Sequence, residues 1–265
     1  TKIKGTEMRA LVTGAGKRLG RAMALALAED GYDVAVHYAS SERDAEDVVA
    51  QIRSLGRNAV ALRADLLHDE ETETLLPRAA EALGGHITCL VNNASIFEPD
   101  ALETVTRQSW DRHLQSNLRA PVVLLQALAA QSLPDLRDNS DEPLAAAVAV
   151  NMVDQRVQKL TPDFMSYTLA KSALWTLTQT AAQALAPKIR VNAIGPGPTL
   201  QGPRQSASDF SAQRASTPLQ RGAGENDITA ALRYLVASPA ITGQLICVDG
   251  GQHMAWQTPD TLLPE

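Results

Sequence analysis

Tyr167 and Lys171 are the two residues whose types and spacing point most directly to catalysis. They lie four positions apart in a helix-favouring stretch, so we expect them to share one helix face. A free tyrosine has a pKa near ~10, and a neighbouring ammonium group would lower that pKa by favouring the phenolate. The pair therefore predicts a tuned acid beside a hydride source, as reduction of C=O or C=N requires. An exposed pair on a helix surface is the alternative explanation of this spacing.

A glycine-containing turn near the start of the chain predicts where a hydride source would bind. Ala10–Val12 is a short apolar run that suits a buried strand, and the Ala- and Leu-rich segment Arg21–Glu29 favours a helix. Gly14, Gly16 and Gly20 lie between or beside them and allow close approach of the backbone to a nucleotide. A helix that opens on such a turn points free N–H groups at it, which predicts a pyrophosphate site.

The end of the second predicted strand, residues 34–38, indicates which dinucleotide is preferred. A site for NADH usually carries Asp or Glu here to hold the ribose hydroxyls. In this sequence Ser40 and Ser41 follow instead, and hydroxyl groups suit a 2′-phosphate, so we predict NADPH. Ser41 is also explained as the cap of the next helix. The basic residues expected nearby are Lys17, Arg18 and Arg43.

Strands and helices alternate along the whole chain. The further predicted strands span residues 59–63, 87–91, 144–150, 189–194 and 245–248, and the further helices span 42–55, 68–83, 107–133, 162–186 and 226–237. Pro162 is expected to open its helix and Asn226 to cap the last one. This alternation predicts a single α/β domain over residues 1–265, with a doubly wound, seven-stranded parallel sheet. The polar segment 199–221 is expected to form a flexible flap over the site.

Polar residues follow several strands at the sheet edge where α/β proteins bind ligands. Asp65 follows the third strand, where a carboxylate can accept a hydrogen bond from an adenine amino group, although Asp also starts turns. Asn92 to Ser95 follow the fourth strand and fill little core volume, which indicates a site. Asn117 lies within a predicted helix, where a polar side chain usually faces solvent.

Composition excludes several function classes. The net charge is -6 and the pI is about 5.4, which disfavours a nucleic-acid or anionic-membrane surface. Cys89 and Cys247 lie in apolar runs and are expected to be buried reduced thiols, and no motif suggests a metal site. No apolar run reaches membrane length and no signal peptide precedes the first strand, so a cytoplasmic protein is expected.

Five motifs in order along the chain resemble the short-chain dehydrogenase/reductase family. They are Thr13-Gly14 with Gly20, Asn92-Asn93-Ala94, Asn117, Tyr167-x-x-x-Lys171, and Pro196-Gly197. The resemblance covers the whole chain and implies a Rossmann fold and a homotetramer. It also implies that Asn117 completes a catalytic tetrad and supports a proton relay near Lys171.

Two departures from the general family pattern are similar to one branch, the pteridine reductases. Arg18 stands where the family usually has Gly, and Asp154 stands where it usually has Ser. The matching stretches are TGAGKRLGRA, HYASS, NNASIF, NMVD and GPG. In that branch the residue at Arg18 contacts cofactor phosphate and pterin, the one at Ser95 lies beside both ligands, the one at Phe97 stacks on the pterin, and the one at Asp154 works with Tyr167 in proton transfer.

The chemistry of a pterin agrees with this resemblance. A flat ring fits between an aromatic side chain and the nicotinamide, and a buried carboxyl group with a raised pKa is a usable acid. Loop packing is the simpler explanation of Phe97, and a helix-start cap is that of Asp154. Pro198 replaces an aliphatic residue common in the branch, and Ala39 and Ser40 replace its basic residues.

The sequence therefore predicts an NADPH-dependent reductase of dihydropterin- or dihydrofolate-like substrates. Reduction of an unrelated small ketone, alcohol or imine is the alternative, and a non-catalytic NADP(H)-binding protein is a further one. The catalytic positions are Tyr167, Lys171, Asp154 and Asn117. The cofactor positions are Gly14, Lys17, Arg18, Leu19, His37, Tyr38, Ser40, Ser41, Asp65, Leu66, Asn93, Ala94, Ser95, Tyr167, Lys171, Pro196 and Gly197. The substrate positions are Arg18, Ser95, Phe97, Asp154, Tyr167 and Pro198.

Overall fold

The computed structural model describes residues 8–202 and 204–256. Its strands are β1 (Arg9–Val12), β2 (Asp33–Tyr38), β3 (Ala59–Arg63), β4 (Cys89–Asn92), β5 (Leu136–Arg137), β6 (Pro143–Leu144), β7 (Ala147–Met152), β8 (Ile189–Pro196) and β9 (Leu245–Val248). Its α-helices are α1 (Arg18–Glu29), α2 (Glu42–Ser54), α3 (Asp69–Ala82), α4 (Arg107–Leu114), α5 (Ala120–Ala129), α6 (Met165–Leu185), α7 (Ala207–Ala215) and α8 (Glu225–Ala237).

Seven of these strands form one sheet in the order β3-β2-β1-β4-β7-β8-β9. Every neighbouring pair in it is parallel. The chain builds outward from β1 to β3 and then returns to the other side of β1 with β4. A crevice opens at such a reversal, outside the carboxyl ends of the strands, and ligands of open α/β sheets bind there. The predicted fold class, a doubly wound Rossmann sheet, is confirmed.

Helices cover both faces of the sheet and enclose two apolar layers. One layer packs β-strand side chains against α1, α2 and α8, and the other packs them against α3, α5 and α6. Consecutive residues of a strand point to opposite faces, so Ala10 and Val12 enter the first layer while Leu11 enters the second. This is why the central strands are apolar at nearly every position.

The predicted helix over residues 107–133 is wrong in its continuity. It divides into α4, a π-helical segment at Gln115–Arg119, and α5, which ends at Ala129. Pro121 lies in the first turn of α5 and has no N–H to donate to the carbonyl of Asn117. The wider π turn is centred on this interruption, and such turns are frequent at functional sites.

Three other predicted boundaries also differ. The predicted strand 144–150 lies at Ala147–Met152, because Leu144 pairs with Leu136 in a separate two-stranded hairpin. Helix α6 begins at Met165 rather than at Pro162, after Phe164 in a left-handed conformation with φ of 57°. Asn226 does not cap α8, because the helix begins at Glu225 after Gly224.

The segment 199–221 forms the short helix α7 with connecting turns, and none of the side chains of α7 is buried. Arg214 ties the segment to its base by donating hydrogen bonds to the carbonyls of Pro198, Gly222 and Ala223. The segment is therefore anchored at its two ends and has little apolar packing between them.

Both cysteines are free thiols; Cys89 is buried and Cys247 is half-buried. Burial raises the pKa of Cys89 to about 12 and that of Cys247 to about 11, so both remain protonated at neutral pH. In the described ranges no helix is sufficiently long and apolar to cross a bilayer.

Candidate active site

The turn after β1 is held by a buried histidine. Gly14 has a φ of 62° and donates its N–H to Nδ1 of His37 over 3.0 Å. Since Nδ1 accepts, the imidazole proton is on Nε2, which lies 3.0 Å from the carbonyl oxygen of Ala64. Burial lowers the pKa of His37 to about 4, so the ring is neutral at physiological pH. His37 thereby joins the ends of β1, β2 and β3.

Thr13 and Asn93 fix the other side of the same turn. The hydroxyl of Thr13 accepts hydrogen bonds from the backbone N–H groups of Asn93 and Ala94, both over 2.9 Å. The side-chain amide of Asn93 donates to the carbonyls of Thr13 and Gly14 over 2.8 and 3.3 Å. The ends of β1 and β4 are thus joined across the crevice.

The turn leaves no room for a side chain at its closest approaches. A Cβ at Gly20 would lie 2.1 Å from the carbonyl oxygen of Gly14, and one at Gly14 would lie 3.1 Å from Cα of Ala94. Helix α1 begins directly after the turn, so its free N–H groups point toward the crevice. These features fit the pyrophosphate of a dinucleotide, because the backbone itself can approach the phosphates.

The residues after β2 leave several polar groups uncommitted. Ser41 occupies the N-cap position of α2 but makes no capping hydrogen bond through its side chain, and Ser40 is exposed. The exposed Arg43 forms no salt bridge or side-chain hydrogen bond within the described part of the chain. Lys17, by contrast, pairs with Asp44 over 2.9 Å.

The other positions predicted to bind cofactor lie around the same edge. One oxygen of Asp65 accepts the N–H of Leu67 over 3.0 Å in a turn, and Leu66 is buried. Gly197 donates its N–H to the carbonyl of Val248 over 3.1 Å. Leu19 and Tyr38 are half-buried, the hydroxyl of Tyr38 donating to Glu42, and Pro196 ends β8.

Tyr167, Asp154 and Lys171 converge at the carboxyl end of β7. The Tyr167 hydroxyl donates a hydrogen bond of 2.8 Å to Oδ2 of Asp154, whose Oδ1 accepts the backbone N–H of Arg156 over 2.8 Å. Lys171 is only 2% exposed and donates from Nζ to the carbonyl of Met152 over 2.6 Å. Nζ also lies 5.7 Å from the centroid of the Tyr167 ring. The alternative of an exposed surface pair is therefore wrong, because Tyr167 and Lys171 are buried together.

The pKa of Tyr167 is shifted in the direction opposite to the one predicted from the sequence. Burial raises the pKa of the Tyr167 phenol well above 10, and the Asp154 carboxylate raises it further. The predicted lowering by Lys171 is wrong for this arrangement, because desolvation and Asp154 dominate while the ammonium group is directed to Met152. Burial also raises the pKa of Asp154 and lowers that of Lys171 to about 8. The phenol is thus held in its protonated form beside a carboxyl group that retains its proton more readily than usual.

Asn117 is buried, and both polar atoms of its side-chain amide form hydrogen bonds with the main chain of Ile96. Its Oδ1 accepts the N–H of Ile96 over 2.9 Å, and its Nδ2 donates to the carbonyl of Ile96 over 2.8 Å. The helix residue therefore holds the loop after β4, which carries Ser95 and Phe97, instead of facing solvent.

Three aromatic rings form a platform beside the acid pair. Phe97 stacks on Phe164 with centroids 4.2 Å apart and planes 13° apart, and its ring meets Tyr167 edge-on at 4.7 Å. Phe97 is still 43% exposed, so the stack is open to solvent. We call Phe97, Phe164 and Tyr167 the aromatic platform. The exposed Ser95 lies near it, and its hydroxyl acts on Tyr167 to lower the pKa that burial raises.

The segment 199–221 is joined to the site by hydrogen bonds from Arg18 of α1 and from its own Arg204. Arg18 has a φ of 52° and donates to the carbonyls of Leu200 and Gln201 over 3.1 and 2.9 Å. Arg204 donates to the carbonyl of Phe97 over 2.8 Å. Pro198 is buried at the base of the segment. Hydrogen bonds of the segment thus connect it to Arg18 and Phe97, two of the predicted substrate residues.

Comparison with known proteins assigns the family. Residues 14–253 match the family model described as enoyl-(acyl carrier protein) reductase. The 3-oxoacyl-[acyl-carrier-protein] reductase FabG of Staphylococcus aureus is 34% identical over 250 residues, covering 92% of this chain and 98% of the relative. This chain belongs to the short-chain dehydrogenase/reductase family. The enzyme is therefore an oxidoreductase, as its motifs predict.

Similar proteins of known structure indicate which branch of the family this chain resembles. FolM alternative dihydrofolate reductase 1 from Brucella suis, crystallised with NADP, is 43% identical with a TM-score of 0.88, covering 96% of this chain and 98% of that one. A short-chain dehydrogenase from Burkholderia cenocepacia, also with NADP, is 33% identical with a TM-score of 0.83, covering 94% and 98%. These findings support the predicted pteridine-reductase-like branch of the family.

The enzyme also contains a buried network of hydrogen-bonded polar side chains that was not predicted from the sequence. Glu98 donates its N–H to Nε2 of His113, so Nδ1 carries the proton and donates to the hydroxyl of Ser166 over 2.7 Å. Ser166 donates in turn to Oδ2 of Asp100. Burial alone would raise the pKa of Asp100, but hydrogen bonds from Ser166 and Ser109 lower it.

This chain of hydrogen bonds links α4, the loop after β4 and the start of α6, immediately before Tyr167. Ser166 is far from the other two side chains in sequence, 53 positions after His113 and 66 positions after Asp100. No local pattern reveals such a network. Phe164 was missed for the same reason, since a lone aromatic residue before a helix usually indicates packing.

Proposed function

We propose that the enzyme is an NADPH-dependent reductase of dihydropterins, including dihydrofolate-like molecules. The observation that carries this proposal is the 2.8 Å hydrogen bond from Tyr167 to Asp154 beside the exposed aromatic platform. A flat heterocycle can stack on Phe97 and bring a ring nitrogen to the phenol. NADPH is the cofactor, and the NADP complexes of the Brucella and Burkholderia enzymes support that choice.

Reduction of a C=N bond requires a hydride at carbon and a proton at nitrogen. Bound NADPH supplies the hydride. Tyr167 gives its hydroxyl proton to the substrate nitrogen, and Asp154 then returns a proton to the phenolate oxygen along the 2.8 Å hydrogen bond. The raised pKa of Asp154 keeps more of this carboxyl group protonated near neutral pH, as the relay requires.

Lys171 and Asn117 position these groups. One N–H of Lys171 is used by Met152, and its remaining donors are free to hold the ribose of the nicotinamide half. Asn117 fixes Ile96 and thereby the loop that carries Ser95 and Phe97. Ser95 and Phe97 contact the substrate, together with Pro198 and Arg18.

The cofactor residues divide by the part of the dinucleotide that they hold. The turn with Gly14, Asn93 and Ala94 and the start of α1 hold the pyrophosphate, and Pro196 and Gly197 adjoin the nicotinamide. Ser40, Ser41 and Arg43 hold the 2′-phosphate, since their polar groups are uncommitted. Asp65 and Leu66 adjoin the adenine.

Reduction of a 3-oxoacyl thioester is the second candidate. It is favoured by the 34% identity to FabG over 92% of the chain. Ketone reduction needs only the Tyr167 phenol and Lys171, so Asp154 and the platform would have no role in it. A small ketone, alcohol or imine outside both classes would use the same two residues.

The discriminating experiment is an NADPH-oxidation assay with dihydrobiopterin, dihydromonapterin, dihydrofolate and acetoacetyl-CoA. We expect at least one dihydropterin to have a kcat/KM about tenfold or more above that of the thioester. Faster turnover of the thioester would select the second candidate, and no turnover of any dihydropterin would overturn the proposal. Tight NADPH binding without turnover on any substrate, unchanged in Tyr167→Phe, would indicate a non-catalytic protein.

We further propose a cytoplasmic homotetramer, as the family resemblance implies. The two free thiols agree with a reducing compartment. Light scattering of the purified protein tests the assembly, and a stable monomer would contradict it.

A further inference from the structure

Two arginine side chains flank the aromatic platform from different elements. Cζ of Arg156 lies 5.3 Å from the centroid of the Phe164 ring, and Cζ of Arg204 lies 5.8 Å from that of Phe97. Arg156 lies two residues after Asp154, in the 3₁₀ turn that follows β7, and its charge acts on Asp154 and Tyr167 to lower their pKa values against the effect of burial. The arginines therefore border the place where the substrate ring would stack.

Neither guanidinium group is saturated by protein acceptors. Nη1 of Arg156 donates to the hydroxyl of Thr161 and the carbonyl of Asp163, and Nη2 of Arg204 donates to the carbonyl of Phe97. Each guanidinium has five N–H donors. In Arg156, Nη1 makes two hydrogen bonds and Nε is buried without a partner, so Nη2 remains available. In Arg204, Nε, Nη1 and one N–H of Nη2 remain available. No salt bridge joins either group to a carboxylate of the described residues.

Three acidic side chains close in sequence to Phe97 and Arg204 already have partners. Glu98 pairs with Arg112 over 3.0 Å, and Asp100 is buried with Ser166. Asp209 of α7 accepts the hydroxyl hydrogen bond of Ser206 over 2.5 Å. Arg18 donates only to main-chain carbonyls. Arg18, Arg156 and Arg204 therefore form no salt bridge with a carboxylate of the described residues, while Arg156 acts electrostatically on Asp154 and lies beside the exposed Asp163.

We infer that the preferred substrate carries a carboxylate-bearing tail beyond its ring, and that Arg156 and Arg204 bind this tail. The inference rests on the proposed dihydropterin reductase function and specifies the substrate class. A planar guanidinium matches a carboxylate in two parallel hydrogen bonds, which are stronger than neutral ones. Arg204 lies over the Phe97 ring and Arg156 over the Phe164 ring, so a substituent of a substrate ring bound at the platform comes close to both arginines.

The test compares two ligands that differ only in charge: dihydrofolate and its diamide, in which both tail carboxylates are converted to amides. KM is measured by NADPH oxidation, and Kd is measured by calorimetry on the enzyme–NADP⁺ complex. In the wild-type enzyme we expect dihydrofolate to bind at least about fivefold more tightly than the diamide, and we expect this preference to weaken as salt is raised.

Variants assign the preference to the two arginines. Arg204→Gln and Arg156→Gln should each reduce the charge preference to about twofold or less, whereas Arg204→Lys should retain part of it. Arg137→Gln is the matched control, because Arg137 is an exposed arginine in the β5–β6 hairpin, outside the site. It should leave the Kd of both ligands unchanged.

The outcomes separate this inference from the function on which it rests. Equal Kd values for the two ligands, or an undiminished preference in both Gln variants, would overturn the inference while dihydropterin turnover would still support the proposed function. Absence of turnover and of binding with every dihydropterin would overturn both. The salt dependence and Kd values of the wild-type enzyme need no variant, so misfolding cannot obscure the result.

Discussion

The cofactor side and the substrate side of the cleft are built in opposite ways. On the cofactor side, Thr13, His37 and Asn93 join the ends of four strands through buried side chains and main-chain atoms. On the substrate side, Phe97 is 43% exposed despite its ring contacts, and none of the side chains of α7 is buried. The first arrangement can hold one ligand rigidly, and the second can change its side chains without disturbing the sheet. Substitutions should therefore affect folding on one side and substrate choice on the other.

The largest effect is expected at Tyr167, where the two sides meet. Tyr167→Phe removes the hydroxyl that donates to Asp154 but retains the buried ring. A positioned general acid contributes about 10²–10⁴-fold, so kcat for dihydropterin reduction should fall at least about a hundredfold. Thermal unfolding should show that the variant is folded. A kcat within threefold of wild type would exclude Tyr167 as the proton donor.

The second-largest effect is expected at His37, which should make the free energy of unfolding depend on pH. The pKa of His37 is about 4 in the folded state and near ~6.5 when unfolded, so the unfolded chain binds one more proton between these values. The free energy of unfolding should therefore fall by about 3 kcal/mol as pH drops from 6.5 to 4. Urea unfolding of His37→Asn, which keeps an acceptor for Gly14, should lack this component. His86→Asn is the control, because His86 is exposed, and it should behave like wild type.

Alanine substitutions of two glycines, one on the cofactor side and one on the substrate side, allow the packing of the two sides to be compared directly. A Cβ at Gly20 would lie 2.1 Å from the carbonyl oxygen of Gly14, whereas one at Gly202 would have no atom within 4 Å. We expect Gly20→Ala to destabilise the fold by about 1–3 kcal/mol and Gly202→Ala to change it by less than ~0.5 kcal/mol. Equal effects in urea unfolding would contradict the contrast between a tightly packed turn and an open flap.

The smallest effect is expected at Ser40, at the exposed edge of the cofactor side. Ser40→Asp places a carboxylate where the 2′-phosphate is proposed to bind, so KM for NADPH should rise about tenfold relative to KM for NADH. Ser54→Asp, at the exposed end of α2, is the charge-matched control. An unchanged NADPH-to-NADH ratio in Ser40→Asp would remove Ser40 from the phosphate site.

The sequence predicted the elements whose signals are local. Apolar runs and their alternation placed the strands of the sheet, and the resemblance to the pteridine reductases implied that Asp154 works with Tyr167. Cap positions were less certain, since Gly224 with Asp227 replaced the expected Asn226 as the start of α8. Capping residues are common in loops, and tertiary packing decides which one is used.

Features that depend on distant contacts could not be predicted from local patterns. The stacking of Phe164 on Phe97 and the approach of Arg204 join segments that are far apart in the sequence. The direction of the Tyr167 pKa shift was missed because burial outweighs the proximity of Lys171. A spacing of four residues predicts that two side chains are neighbours, but it does not predict the solvent exposure or the partners of either one.

The pH profile of kcat in wild type and Asp154→Asn tests the central claim most directly. The substitution keeps the size of the side chain and an oxygen that can accept the N–H of Arg156, but it removes the titratable proton. With saturating NADPH and a dihydropterin, wild-type kcat should fall as pH rises through the raised pKa of Asp154, because the proton returned to Tyr167 is lost. Asp154→Asn should have a kcat at least about tenfold lower at acidic pH and should lack this decline. Superimposable profiles of the two enzymes would contradict a proton relay from Asp154 through Tyr167.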